Sequence, residues 1–128
     1  MIAEFTPCCL KGSIDAPPSK SMAHRYLIGA ALSGKTCRIS GFDYSEDILA
    51  SIDCLRALGA AVAIDGDRVT IDPRGFMAAE NPVLLCRESG STLRFFIPLA
   101  LCLGREATLQ GSGRLFERPL GIYEDLCR

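Results

Sequence analysis

Five residues return in order at an offset of 70: Ser19, Ser21, Ala30, Gly34 and Gly41 recur as Ser89, Ser91, Ala100, Gly104 and Gly111. Past a two-residue insertion the offset becomes 72, where Asp53 matches Asp125 and Arg56 matches Arg128. An ordered recurrence at points where helices begin and end marks one supersecondary unit used twice. In the first copy Ala23, Tyr26, Leu27, Ala30 and Ala31 fall at helical spacing between Met22 and Ser33, and Gly34 stands where a glycine closes a helix. Lys35 to Gly41 alternates Cys37 and Ile39 against polar neighbours and predicts a strand. Ser45 then caps a second helix through Leu58, with Ile48, Leu49, Ile52 and Leu55 on one stripe and Gly59 at its end. Ala61–Ile64 and Arg68–Ile71 alternate about Asp65-Gly66-Asp67 and predict a hairpin. Residues 2–14 suggest a short strand or two, broken at Lys11-Gly12. The order helix, strand, helix, hairpin is α+β, and without a GxGxxG or a P-loop nothing points to a nucleotide fold.

Each copy opens on a candidate anion site where a loop runs into a helix. Pro17 and Pro18 hold the approach extended, Ser19 or Ser21 can cap, Lys20 sits at the helix start, and Arg25 follows about one turn in. Free N–H groups, hydroxyls and two cations make an anion site in outline. The plainer reading of that spacing is a capped surface helix with two solvated cations. The second copy offers Glu88-Ser89-Gly90-Ser91-Thr92-Leu93-Arg94, where Gly90 either lets the backbone approach a ligand or merely supplies a flexible helix start. Pro98 should kink the helix that follows, because it lacks the N–H owed to the Arg94 carbonyl. Ser112 to Arg118 leads into a fourth helix with Pro119 at its first turn. The second copy stops at Arg128, short of the hairpin that completes the first, so a fragment of a longer protein is expected.

A chain of 128 residues with 48% hydrophobic content suits one folded domain. A net charge of -1 gives no reason to expect nucleic acid or an anionic membrane surface as a partner. The N-terminus lacks the layout of a signal peptide and no run reaches membrane-spanning length, so a cytoplasmic location is expected. Seven cysteines without a repeated CxxC, and a single histidine, argue against a metal site; reduced, mostly buried thiols are expected.

Three motifs in order carry a resemblance. They are Pro18-Ser19-Lys20-Ser21 with Arg25, Ala30-Ala31-Leu32 and Gly34; Ser45-Glu46-Asp47 with Leu55 to Gly59; and Gly90-Ser91-Thr92-Leu93-Arg94 with Leu115-Phe116-Glu117-Arg118-Pro119-Leu120. On these the chain resembles the N-terminal third of the 5-enolpyruvylshikimate-3-phosphate synthase family. It differs at Glu88-Ser89, where many members have Asn-Ala, and at Ser91, where many have Thr. The resemblance implies transfer of the enolpyruvyl group of phosphoenolpyruvate to the 5-hydroxyl of shikimate 3-phosphate, through a tetrahedral intermediate that loses phosphate, without metal or organic cofactor. It implies a two-lobed fold of repeated β-α-β-α-β-β units, here incomplete. Residues 1–14 would belong to the other lobe, 15–82 to one unit, and 83–128 to the start of the next.

By motif match, Lys20 would lie between the substrates as a catalytic and binding residue, and Ser21 and Arg25 would hold shikimate 3-phosphate. The Gly90 backbone and Arg118 would hold phosphoenolpyruvate, with Arg94 beside them in a binding or supporting role. The acidic proton acceptor and further cations of the family lie in segments this chain lacks. Alone it should be inactive, and exposed apolar surface on its third and fourth helices should favour self-association. Two other readings compete: a fragment of the related UDP-N-acetylglucosamine enolpyruvyl transferase, and a non-catalytic phosphate-binding module. Ser19-Lys20-Ser21 and Glu117-Arg118-Pro119 disfavour the first.

Overall fold

Helix Glu46–Ala57 runs through the middle of the molecule, and the other elements are disposed around it. In a computed structural model, which describes residues 2–9 and 11–126, the elements are α1 (Lys20–Leu32), β1 (Cys37–Ser40), α2 (Glu46–Ala57), β2 (Ala61–Asp65), β3 (Arg68–Asp72), β4 (Val83–Arg87), α3 (Gly90–Cys102), β5 (Thr108–Gly111), a 3-10 turn (Leu115–Glu117) and α4 (Gly121–Leu126). The fold is α+β. One antiparallel sheet has the order β1-β3-β2, with Ile39 opposite Val69 and Val62 opposite Ile71. A separate parallel pair joins β4 to β5, with Leu84 opposite Leu109.

The apolar stripe expected on α2 widens into a wrap. Ile48, Ile52 and Leu55 are buried as the spacing requires, but so are Ala50, Ser51 and Cys54, while Leu49 is only half-buried. The helix touches α1, α3, β2 and β4, so more than one face leaves water. Ser45 occupies the cap position without a side-chain hydrogen bond; Glu46 and Asp47 supply negative charge to the first turn instead. At the far end Gly59 N–H bonds the Arg56 carbonyl at 2.9 Å and Ala60 N–H bonds the Leu55 carbonyl at 3.0 Å, the two bonds of a Schellman stop. Gly59 holds φ 101°, which an L side chain rarely adopts.

The hairpin forms where expected, with Gly66 at φ 56° and the Asp67 carboxylate accepting from Gly41 N–H at 3.0 Å. Residues 2–9 and 11–19 make no strand, contrary to the sequence reading; Met1 and Leu10 lie outside the described residues. Ile2, Phe5 and Ile14 are each more than nine-tenths exposed. A strand needs a partner edge, and among the described residues none meets this segment. The thiols also depart from expectation. Cys54 and Cys86 are buried, Cys37 is half-buried, and Cys8, Cys9 and Cys102 are exposed, because the first two lie in the unpaired segment and the last at a helix end. Cys127 lies outside the described residues, as does the repeat match at Arg128.

α3 runs through Pro98 to Cys102. The Arg94 carbonyl, which Pro98 cannot serve, accepts instead from the Tyr123 hydroxyl on α4 at 3.3 Å. Tyr123→Phe should therefore cost about 0.5–1.5 kcal/mol of stability, read as a lower urea midpoint. An unchanged midpoint would show that water serves this carbonyl equally well.

Candidate functional site

The first helix start is built as its residues suggest. Ser19 takes extended backbone at φ -71° and ψ 108°, and its hydroxyl, rather than that of Ser21, faces Met22 N–H at 3.4 Å. Lys20 opens α1, and its Nζ pairs with Asp47 Oδ2 at 2.5 Å. That bond with Lys20 holds the Asp47 carboxyl below the usual carboxylate range, against the opposing effect of burial. The pair stabilises the fold above the ordinary carboxylate pKa, and its contribution is lost as pH falls through the depressed one. Arg25 lies one turn further on. Its guanidinium donates to the Ser21 carbonyl at 2.8 Å and stands 5.3 Å from the centre of the Phe95 ring of α3. Lys20, Ser21 and Arg25 are exposed on one end of α1.

The second helix start repeats the first in a more enclosed form. Ser89 is extended at φ -77° and ψ 102°, its hydroxyl accepts from Thr92 N–H at 3.1 Å, and Ser89, Gly90 and Thr92 are all buried. Gly90 is covered by arginine. A β-carbon there would run into the Arg118 guanidinium and stand 3.0 Å from Arg94 Nη1. Arg94 and Arg118 thus come together over the opening turn of α3, and among the described residues neither forms an ion pair. Two like charges held side by side at a helix N-terminus repel until an anion lies between them.

Arg118 does not reach this position by heading the fourth helix. It caps the 3-10 turn at ψ 142°, as a residue before proline is driven to do, and Pro119 lies in the connection rather than in α4. Leu120 carries the cap, its carbonyl accepting from Tyr123 N–H at 2.8 Å and Glu124 N–H at 3.3 Å. The nearest acid in sequence, Glu117, is engaged by Arg114 at 2.5 Å, which leaves the Arg118 guanidinium to Gly90.

The two starts meet at the head of α2. Asp47 gives its carboxylate to Lys20 and its main-chain carbonyl to the Thr92 hydroxyl at 3.1 Å. All six residues singled out by motif therefore lie at one end of the three helices or on the turn that folds over it. The spacing did not single out His24, Ser51 and Thr92, which are buried between the helices, or the half-buried Phe95 beneath Arg25; each faces another element, which no local spacing announces. Arg87 was also unforeseen. It holds φ 52° beside the register shift in β4 and pairs with Glu46 and, at 2.8 Å, with Asp53. Among the described residues no group of three or more His, Cys, Asp or Glu side chains gathers as a metal site would, and no helix is long and apolar enough to cross a membrane.

A family model described as EPSP synthase (3-phosphoshikimate 1-carboxyvinyltransferase) matches residues 6–125. The 3-phosphoshikimate 1-carboxyvinyltransferase of Clostridium kluyveri is 43% identical over 122 residues, covering 95% of this chain and 29% of that protein. The enzyme of the same name from Clostridium perfringens strain ATCC 13124 is 43% identical over 123 residues, with the same coverage of each. Among solved structures, EPSP synthase from Acinetobacter baumannii matches with a TM-score of 0.74 at 24% identity, over 89% of this chain and 27% of that one. The last likeness concerns the fold alone. The chain spans 29% of the length of these curated relatives.

Proposed function

The chain belongs to the EPSP synthase (3-phosphoshikimate 1-carboxyvinyltransferase) family, and from that premise we propose that it supplies one wall of a site that transfers the enolpyruvyl group of phosphoenolpyruvate to the 5-hydroxyl of shikimate 3-phosphate, releasing phosphate. The observation that carries this reading is the meeting of Arg94 and Arg118 over Gly90. Phosphoenolpyruvate bears a phosphate and a carboxylate close together, and a pair of guanidiniums at a helix N-terminus suits such a doubly anionic ligand. Arg118 binds it through a planar fork, Gly90 admits it close to the backbone, and Arg94 supports the fork from below.

Ser21 and Arg25 hold shikimate 3-phosphate at the exposed end of α1. Lys20 stands between the two ligands, where it exchanges its pairing with Asp47 for contact with substrate and assists proton movement near the attacking hydroxyl. In the transfer, the hydroxyl gives up its proton as its oxygen bonds to the enol carbon, while the methylene carbon takes up a proton and becomes a methyl group. The carbon–oxygen bond to phosphate then breaks and the methyl group loses one proton, which restores the double bond. The cations of this wall stabilise charge on the departing phosphate. The remaining wall belongs to sequence outside this chain; residues 15–82 and 83–128 are one unit of the fold and the start of the next, and residues 1–14 pair elsewhere. Catalysis takes place in the cytoplasm. Exposed Leu101, Ile122 and Leu126 favour association between copies of the chain.

NMR titration of each substrate, which reads weak affinities, tests the assignment. Arg118→Lys should weaken phosphoenolpyruvate about tenfold, the loss of one charge-assisted bond, and leave shikimate 3-phosphate nearly unchanged. Arg25→Lys should do the reverse. Equal losses for both ligands in either variant would assign these arginines to other roles.

A further inference from the structure

His24, the one histidine of the sequence, is fully buried on α1, and its Nε2 has no partner among the described residues. Its Nδ1 lies 2.7 Å from the Ser51 hydroxyl of α2. That hydroxyl lies 2.9 Å from the Thr92 hydroxyl of α3, and Thr92 donates to the Asp47 main-chain carbonyl at 3.1 Å. Thr92 also donates to the Ser89 hydroxyl at 2.8 Å. Asp47 in turn holds Lys20, four residues before His24. The path leaves α1 at His24, crosses α2 and α3, and returns to α1 at its first residue.

Counting protons gives this path a direction. The single Thr92 hydroxyl proton is given to the Asp47 carbonyl or the Ser89 hydroxyl, and in either case points away from Ser51. Thr92 then has none to offer Ser51, and the 2.9 Å contact requires Ser51 to donate. Ser51 in turn has none for the imidazole, so the 2.7 Å contact requires an Nδ1–H on His24. Burial, the largest influence on this ring, pushes its pKa below the ordinary histidine value; Asp47 opposes that shift, and Lys20 and Arg25 reinforce it. The ring is therefore neutral, and the unpartnered Nε2 is a bare lone pair rather than a stranded N–H. Orphaned acceptors are the more readily tolerated of the two in protein interiors.

We propose that His24 is a positioning residue, the donor end of a one-way relay from His24 through Ser51 and Thr92 to Asp47 that sets Lys20 against the Gly90 turn. Apolar packing alone would let the helices slide by fractions of an ångström, whereas a chain of directed bonds fixes the spacing of the two helix starts. The ligands named for those starts rest on the functional reading above; the relay itself does not.

Nitrogen-15 labelling of histidine in the full chain reads the tautomer without assignment, because there is one histidine. The expected signature is a protonated Nδ1 and an unprotonated Nε2 that persist below the pH at which a free histidine charges. An Nε2–H tautomer overturns the relay. His24→Asn keeps a donor near the Nδ1 position, whereas His24→Leu removes it. His24→Leu should shift the amide signals of Lys20 and Gly90 and weaken phosphoenolpyruvate about tenfold, and His24→Asn should stay within about threefold of the parent. Unmoved signals in His24→Leu, or an equal loss in both variants, overturn the positioning role. If the parent chain binds no phosphoenolpyruvate, the ligand assignment fails, and the tautomer and the amide signals still decide the relay.

Discussion

Gly90→Ala should weaken phosphoenolpyruvate on the order of a hundredfold while changing stability by no more than about 1 kcal/mol. The added β-carbon would occupy the space now filled by the Arg118 guanidinium and press on that of Arg94. Both are ends of flexible side chains, so they swing aside at little cost to the fold. Backbone strain is not at issue, since Gly90 is not among the glycines at positive φ. What is lost is the joint placement of two charge-assisted donors, each worth roughly 1.5–3 kcal/mol to a bound anion. A urea titration beside the NMR titration separates the two effects. Affinity that survives the substitution would mean that the arginines bind from a position other than the one they occupy over Gly90.

Gly59→Ala should do the opposite, damaging the fold and reaching the site only through it. Here the β-carbon would meet the main-chain oxygen of Gly75, and a β-carbon at Gly75 would in turn stand 2.6 Å from the Gly59 oxygen. Backbone cannot rotate away as a side chain does. The Met77 N–H bond to the Leu58 carbonyl at 2.8 Å ties the same two segments together. Left-handed φ costs an alanine about 1–2 kcal/mol and the forced separation about 1–3 more, so a loss of about 2–5 kcal/mol is expected. That is a large part of the 5–15 kcal/mol typical of a whole domain. Gly66→Ala is the control, because it shares the positive φ but has open space around it. Equal losses at the two positions would mean that conformation, and not the contact with Gly75, decides the cost.

What the sequence made legible is local. Ser19 and Ser89 cap because their hydroxyls reach N–H groups three residues on, Gly59 stops α2 because its φ is positive, and Gly66 turns the hairpin. Each of these is settled within a few residues. Arg118 was read from its neighbour: Pro119 at a helix start would have placed the arginine at the head of α4. The same proline instead holds Arg118 extended, and the turn at Leu115–Glu117 folds it back onto Gly90. That return is a contact between distant parts of the chain, which spacing does not encode. β4 and β5 escape for the same reason, since a parallel pair has no tight turn to announce it. The path from His24 to Thr92 crosses three helices, and its members look like ordinary small polar residues until the helices are packed.

Pro98 and Tyr123 carry a consequence for how such a chain changes over generations. A proline inside α3 leaves the Arg94 carbonyl without its usual donor, and a tyrosine on another helix makes good the deficit. With alanine at position 98 an ordinary helical bond would return, and the tyrosine hydroxyl would have nothing left to supply. The two substitutions are therefore not interchangeable in order. Tyrosine can arrive first at no cost, whereas proline arriving first would strand a carbonyl at the residue that helps to cover Gly90. The dependence runs one way: once both are present, the tyrosine no longer reverts freely while the proline remains, whereas the proline still does.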